Sequence, residues 1–341
     1  MQAELDENRQ KIDVDTYTIT VRELLSMVER RELHRAPAYQ RRFRWAQDAE
    51  SRLVESILLG LPVPNIFVAT NEDGSWEVVD GLQRLSTLIH FMSESPEDIK
   101  ELGKSGPLQL SGLRKLSSFN GLTFQELPVS IRLALQKRGL GITSLSDKSD
   151  PESRFETFER LNRGSLSLSP QEIRACVFQG PFNNLIRELA AHEGFRALIK
   201  LREVDTNAAT AEELVLKFFA YRHSRANFKG AVDSFLTHFM ESKRFEFDVE
   251  KGRQEFHSVV NAMHEVGPVP FLRKSTNVTP QNLLEAVMVA IAEIQEEGKK
   301  VGPLSPSWVD DPDLIAASTG ATNTRKKLDE RIKRARLLLG G

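Results

Sequence analysis

The chain has 341 residues, of which 40% are hydrophobic, and this length predicts about two domains of roughly 150 residues each. Its 46 Lys and Arg residues are balanced by 48 Asp and Glu residues, giving a formal net charge of -2, so any contact with DNA must use a local basic patch. The N-terminus lacks a signal-peptide core and no apolar run is long enough for a membrane span. We therefore expect a cytoplasmic protein with no membrane contact.

Alternating strand and helix patterns fill the first 92 residues. They predict a strand at 16–19, a helix opened by the capping pair Thr20 and Glu23, a helix capped by Asp48, a hairpin of 66–70 with 76–79, and a helix that follows Gly81. Residues 93–150 are less regular and contain one further predicted strand near 140–146.

Helical patterns dominate the rest of the chain. The segment 151–161 is predicted to be helical, and Ser169 with Glu172 forms a second capping box. Further helices are predicted at about 182–191, 211–224, 230–241, 247–264, 280–297 and 323–339. The fold class is therefore α+β, with a small sheet and helices in an N-terminal domain of residues 1–148 and an all-α C-terminal domain of residues 149–341. The single cysteine, Cys176, is read as a small buried residue of the second domain.

The most informative motif is the turn from strand to helix at Asp80. The free N–H groups at the start of such a helix suit a phosphate, and Gly81 allows a ligand close to the backbone. Gln83 and Arg84 lie in the first turn, where they can bond to phosphate oxygens, and Asp80 can hold Mg²⁺ or orient a water. The competing interpretation, at about even odds, is that Asp80 only caps the helix.

Two other segments carry polar side chains of the same kind. Residues 39–45 interleave arginines with aromatic residues, which suits phosphates and a stacking base, although the aromatics serve equally well as core plugs. Gln40, Arg41 and Arg42 are the candidates there. A second loop presents Asn162 and Arg163 before Gly164.

Several other chemistries are disfavoured. The segment around Lys104 lacks the upstream glycine of a phosphate-binding loop, and the histidines have no metal-ligand spacing. The basic segment 322–336 can touch a nucleic-acid backbone, but such charge runs are more often solvated helix faces.

With these residues in view, the chain resembles the N-terminal domain family of the GmrSD-type, modification-dependent restriction enzymes, within the ParB/sulfiredoxin-like superfamily, as a stand-alone member. The resemblance rests on Tyr39-Gln40-Arg41 with Trp45, on 56–64, on 78–88, and on 158–174. It covers about the first 180 residues, and later helical segments are similar to the continuation found in stand-alone members.

The resemblance implies a ParB-like fold whose Asp-Gly-Gln-Gln-Arg signature binds and hydrolyses a nucleoside triphosphate with Mg²⁺ in anti-phage defence. Here the signature reads Asp80-Gly81-Leu82-Gln83-Arg84, so its third position has lost the amide and hydrolysis is less secure than binding. By the same carry-over, one pocket would gather Gln40, Arg41, Gln83, Arg84, Asn162 and Arg163. Many relatives carry a C-terminal histidine-metal nuclease domain that is not found here, so DNA cutting would need a partner protein or a different site.

Three functional hypotheses follow. The first is a nucleotide-binding, slowly hydrolysing defence protein that controls a partner or DNA. The second is a nuclease that uses the same pocket on a metal-bound phosphodiester, and the third is a non-enzymatic DNA- or protein-binding adaptor. Homo-oligomerisation is left open.

Overall fold

A computed structural model of the chain describes residues 13–34, 45–71, 73–146, 155–157, 160, 169–202, 205, 209–274, 276–302, 307–320 and 322–340. The chain divides into two compact units, residues 1–167 and 168–341. The domain boundary expected at 148/149 stays a prediction, because residues 147–154 and 161–168 lie outside the described ranges. The predicted α+β class is confirmed, with a small sheet first and helices after it.

A five-stranded mixed sheet forms the centre of the first unit. Its strands are β1 (Val14–Thr20), β2 (Leu33–His34), β3 (Ile66–Thr70), β4 (Trp76–Asp80) and β5 (Gly139–Leu145). They lie in the order β1-β5-β3-β4-β2, in which β3 is parallel to β5, β2 is parallel to β4, and the other neighbours are antiparallel. The predicted hairpin and the strand near 140–146 are confirmed.

Helices cover this sheet and connect its strands. They are α1 (Val21–Glu29), α2 (Gln47–Leu59), α3 (Leu82–Met92), α4 (Pro96–Glu101) and α5 (Val129–Gln136). Thr20 caps α1 as predicted, since its side chain accepts a hydrogen bond from the Glu23 N–H at 3.2 Å. The predicted cap of α2 was wrong: the N-cap is Ala46, and Asp48 lies in the first turn, where its carboxylate accepts from the Ser111 hydroxyl at 2.9 Å.

Helix α3 joins the core of the first unit to the candidate site. Leu85 and Leu88 are completely buried in a hydrophobic cluster that also contains Ile66 and Val78 from β3 and β4. Such burial holds the helix firmly against the sheet. The first turn of α3 is therefore fixed at the end of β4.

The second unit is helical throughout its described residues. Its helices are α6 (Pro170–Val177), α7 (Pro181–Ala191), α8 (Glu193–Leu198), α9 (Thr210–Ser224), α10 (Val232–Lys243), α11 (Val249–Val266), α12 (Gln281–Glu296), α13 (Pro312–Ala317) and α14 (Arg325–Leu338). The capping box of Ser169 and Glu172 is confirmed, and Cys176 is buried as expected. Within the described ranges, no helix combines the length and apolar character needed to cross a membrane.

Candidate functional site

The predicted corner between β4 and α3 has the expected backbone geometry. Asp80 ends the strand, Gly81 takes a left-handed conformation with φ 98° and ψ 8°, and α3 begins at Leu82. Gly81 is the N-cap residue and has no side chain that could cap the amides of the first turn. These N–H groups are the usual donors for an anion at a helix start.

Glycine is required at this turn for two separate reasons. A side chain at position 81 would be strained by the positive φ. Its Cβ would also lie 3.0 Å from the Arg84 guanidinium and 3.2 Å from the Ile66 Cα. The corner is thus packed closely around the Gly81 backbone.

Arg84 closes over this corner and pairs with Asp80. Its Nη2 atom lies 2.7 Å from Asp80 Oδ2 and also donates to the Asn65 carbonyl at 3.1 Å. Both side chains are largely buried, and the Arg84 Nε is buried with no hydrogen-bond partner in the described part of the chain. The guanidinium therefore lies at the predicted place, but it is already committed to a carboxylate and a carbonyl.

Gln83 lies in the first turn of α3 as predicted and is bonded to the end of the arginine-rich segment, while its role toward a phosphate stays a prediction. The residue is only 7% exposed, and its Oε1 accepts a hydrogen bond from the Trp45 N–H at 3.2 Å. Trp45 also packs against the hydrophobic core, as the alternative interpretation of the aromatics proposed. Gln83 thus attaches the end of the arginine-rich segment beside the first turn of α3.

The other predicted members of the pocket lie outside the described residues. They are Gln40, Arg41, Arg42, Asn162 and Arg163. Their convergence with Arg84 stays a prediction, although Trp45 directly follows the first segment and is bonded to Gln83.

The corner offers few ligands for a divalent cation. Asp80 is a single carboxylate with one oxygen paired to Arg84, and no group of three or more potential ligands for a metal ion occurs in the described ranges. Mg²⁺ commonly binds through one or two carboxylates together with substrate phosphates. The donor set therefore suits a cation that arrives with a nucleotide rather than a resident metal centre.

Sequence reasoning missed a buried charged cluster in the helical unit. The Arg174 side chain is completely buried and lies 3.0 Å from Glu213 and 3.4 Å from Asp233. Lys217 extends the cluster, at 3.0 Å from Glu213 and 3.2 Å from Glu285. The available signal was the spacing of Glu213 and Lys217, an i,i+4 pair in a helix that is otherwise mostly apolar.

Comparison with known proteins gives one match. Residues 21–179 match the family described as the GmrSD restriction endonuclease, N-terminal domain. Comparisons with curated proteins and with solved structures gave no match. The match supports the coarse functional expectation of a restriction or anti-phage defence protein.

Proposed function

We propose, from the match of residues 21–179 to the GmrSD restriction endonuclease N-terminal domain family, that this protein binds a nucleoside triphosphate and uses it to control action on foreign DNA. The supporting observation is the uncapped start of α3, where Gly81 opens the backbone and Arg84 lies over it. Backbone donors and a guanidinium are the groups that proteins commonly use for phosphates.

In the bound state, some N–H groups of Arg84 would donate to the protein and others to the ligand. Its buried Nε has no acceptor among the described residues, whereas Nη2 is held by Asp80 and Asn65. A phosphoryl oxygen at the helix start would supply that acceptor and compensate for the desolvation of the guanidinium. Asp80 would then supply a carboxylate next to the bound phosphates.

We propose that hydrolysis of the bound nucleotide is slow. Mg²⁺ would neutralise phosphate charge when it is bound with the nucleotide. Asp80 would orient the attacking water, while Gln83 would position the arginine-rich segment through Trp45 rather than touch the water. Because the Leu82 side chain cannot donate or accept a hydrogen bond, we expect low turnover.

Nucleotide titration with a matched pair of arginine variants tests the binding step. We expect one of ATP, GTP, CTP or UTP with Mg²⁺ to raise the melting temperature, as ligand linkage requires. Arg84→Ala should weaken that binding by about tenfold or more, which corresponds to about 1.4 kcal/mol. The control is Arg138→Ala, because Arg138 also lies over a left-handed glycine, Gly60, and donates to the Ile57 and Leu58 carbonyls.

The outcomes separate binding from stability. The proposal fails if no nucleotide binds, or if Arg84→Ala and Arg138→Ala affect binding equally. Phosphate release that is reduced in Asp80→Asn, with binding retained, would support hydrolysis at this site.

A non-enzymatic adaptor is the second candidate, and the closed arrangement of Arg84 favours it. The contacts of Arg84 with Asp80 and the Asn65 carbonyl are those of a structural tie between β4, α3 and the start of β3. Normal defence activity in an Arg84→Ala, Gln83→Ala double variant that still folds would support the adaptor. Plasmid nicking without nucleotide, lost in Asp80→Ala, would instead support a nuclease.

The partners are also proposals. We propose that DNA is the target and that a separate chain supplies the nuclease, with homo-oligomerisation as a further possibility to measure. Co-purification with and without nucleotide, followed by light scattering, would test the partner and the oligomeric state together.

A further inference from the structure

The helical unit contains a cavity of about 330 Å³ with a basic lining, far from any residue of the predicted nucleotide site in sequence. It lies between the segment that follows α8, the loop before α12, and the first turn of α12. Lys200, Arg202 and Arg273 line it, together with Thr279 and Gln281. Its size is in the range of small-molecule sites.

Arg273 is the unusual residue of this cavity. Its Nε and Nη2 atoms are buried and have no hydrogen-bond partner among the described residues. Burial lowers the pKa of this guanidinium, and only Asp310 opposes that effect. A half-buried guanidinium with two unpartnered donors is unfavourable, so negative charge in the adjacent cavity would stabilise it.

Three other guanidinium groups in this unit bind a carboxylate through the same Nε and Nη2 edge. Arg202 binds Asp205 through Nε and Nη2 at 2.7 and 3.1 Å. The equivalent atoms bind Glu188 in Arg253, at 2.7 and 2.9 Å, and Asp311 in Arg334, at 2.8 and 2.6 Å. Arg273 therefore has a two-donor edge of the kind that matches carboxylate or phosphate, but without its anion.

The other charged groups around the cavity are mostly positive, and none of them supplies an anion for Arg273. The Lys200 ammonium donates to the neutral Asn277 amide oxygen at 2.5 Å, and neither Lys200 nor Arg273 forms an ion pair in the described ranges. The start of α12 also lines the cavity and has no side-chain cap. Asp205 supplies one negative charge, which Arg202 neutralises.

We infer that this cavity binds the phosphate group of a small phosphorylated molecule, held by Arg273 and Lys200. A phosphate has enough oxygens to accept from both side chains and from the first amides of α12 at once, whereas a carboxylate has two oxygens. A concave cavity admits a terminal phosphate more readily than the convex backbone of a duplex. The inference is independent of the nucleotide site proposed for the first unit.

Titration of the full chain with inorganic phosphate and with ribose 5-phosphate tests the inference. Binding is followed by calorimetry and by the ³¹P chemical shift. We expect both probes to bind and Arg273→Met to weaken binding tenfold or more. Because Arg273→Met removes the two buried, unpartnered nitrogen atoms and keeps an apolar stem, it should leave the melting temperature of the free protein unchanged or raised.

Two control variants and two control ligands complete the experiment. Arg253→Ala removes a guanidinium that is already paired and does not line the cavity, so phosphate binding should persist. Arg84→Ala should also retain it, which separates this site from the proposed nucleotide site. The inference is overturned if neither phosphate binds, if Arg273→Met binds as well as the parent, or if acetate or duplex DNA binds through Arg273 as tightly as ribose 5-phosphate.

Discussion

At the scale of single residues, Gly81 is the clearest case in which backbone geometry and packing coincide. Gly81 and Gly74 both have a positive φ in the first unit, at 98° and 81°. Only Gly81 is crowded, because nothing lies within 4 Å of a Cβ added at Gly74. The two glycines therefore form a matched pair.

We predict that Gly81→Ala destabilises the first unit clearly more than Gly74→Ala does. The left-handed backbone alone should cost about 1–2 kcal/mol at either position. Contact with Arg84 and the Ile66 backbone should add about 1–3 kcal/mol at Gly81. Urea unfolding measures both variants, and equal losses would mean that the corner relaxes freely and is not packed as described.

Arg174 carries a positive charge that is buried in the second unit and needs carboxylate partners to be stable there. It is fully buried, and its partners Glu213 and Asp233 supply the opposing charge. Burial lowers the pKa of Arg174, while those two carboxylates oppose the shift. Removing one member of such a cluster leaves the others uncompensated in a poorly solvated place.

We predict that Arg174→Ala destabilises the second unit by about 3–5 kcal/mol. The control is Lys327→Ala in the same unit, where the partner Glu330 lies at 3.2 Å and both side chains are exposed. That exposed pair should contribute only about 0–1 kcal/mol. Unfolding in urea compares the two, and a small loss for Arg174→Ala would indicate that water enters the cluster.

At the scale of elements, the two capping pairs in the sequence correctly predicted where their helices begin. Thr20 and Ser169 both cap the helices assigned to them, because a hydroxyl followed by a glutamate three residues later is a local device. Helices α4 and α13 were not predicted, since six residues are too few to display a helical period.

The basic terminal helix α14 illustrates the limit of reading charge from sequence. Four of its seven basic residues, Arg325, Lys327, Arg334 and Arg336, form ion pairs among the described residues. Their partners are Asp329, Glu330, Asp311, Asp313, Glu293 and Glu297. The pairs of Arg334 attach the helix to the start of α13, and those of Arg336 attach it to the end of α12, whereas the other two pairs lie within α14. Most of its charge is thus used inside the protein, so it makes a weak candidate for DNA contact.

We predict that Arg334→Ala destabilises the second unit more than Lys333→Ala does, because a two-donor contact with Asp311 is lost. Asp311 is also the residue that caps α13, through the Leu314 N–H at 2.9 Å. Lys333→Ala, a neighbour without an ion pair in the described ranges, should change the stability by less than about 0.5 kcal/mol. Equal effects in urea unfolding would show that Arg334 is solvated and that α14 remains available as a basic face.

At the scale of the whole molecule, the fold could be predicted further than the site. The order of strands and helices follows from local periodicity, and the hairpin of β3 and β4 needed only its turn residues. The ion pair of Arg84 with Asp80 joins residues four apart, so both were identified from the sequence, but their pairing with each other was not. The bond from Trp45 to Gln83 joins segments 38 residues apart, whose contact local spacing does not specify. The basic cavity at Arg273 was missed for the same reason, since its lining comes from segments about 70 residues apart.

The distribution of titrating groups makes stability depend on pH in a definite direction. Burial and the neighbouring His192, whose ring lies 4.5 Å away, hold the pKa of His257 below its usual 6.5. Burial alone would raise the pKa of Glu213, but Lys217 and Arg174 outweigh it and hold the pKa below the usual 4.5. In both cases the unfolded state binds a proton more readily than the folded state, so acid favours unfolding.

We therefore predict that the second unit loses stability in two stages as the pH falls. The contribution of His257 is fully present above about pH 6.5 and declines below it, and that of Glu213 declines only below about pH 4.5. Glu212 acts in the opposite sense, because burial raises its pKa, so it offsets part of the second stage. Urea midpoints at about pH 7.5, 5.5 and 4 should fall in that order. His257→Asn should remove most of the first decrease and leave the second; an unchanged first decrease would assign it to groups other than the stacked histidines.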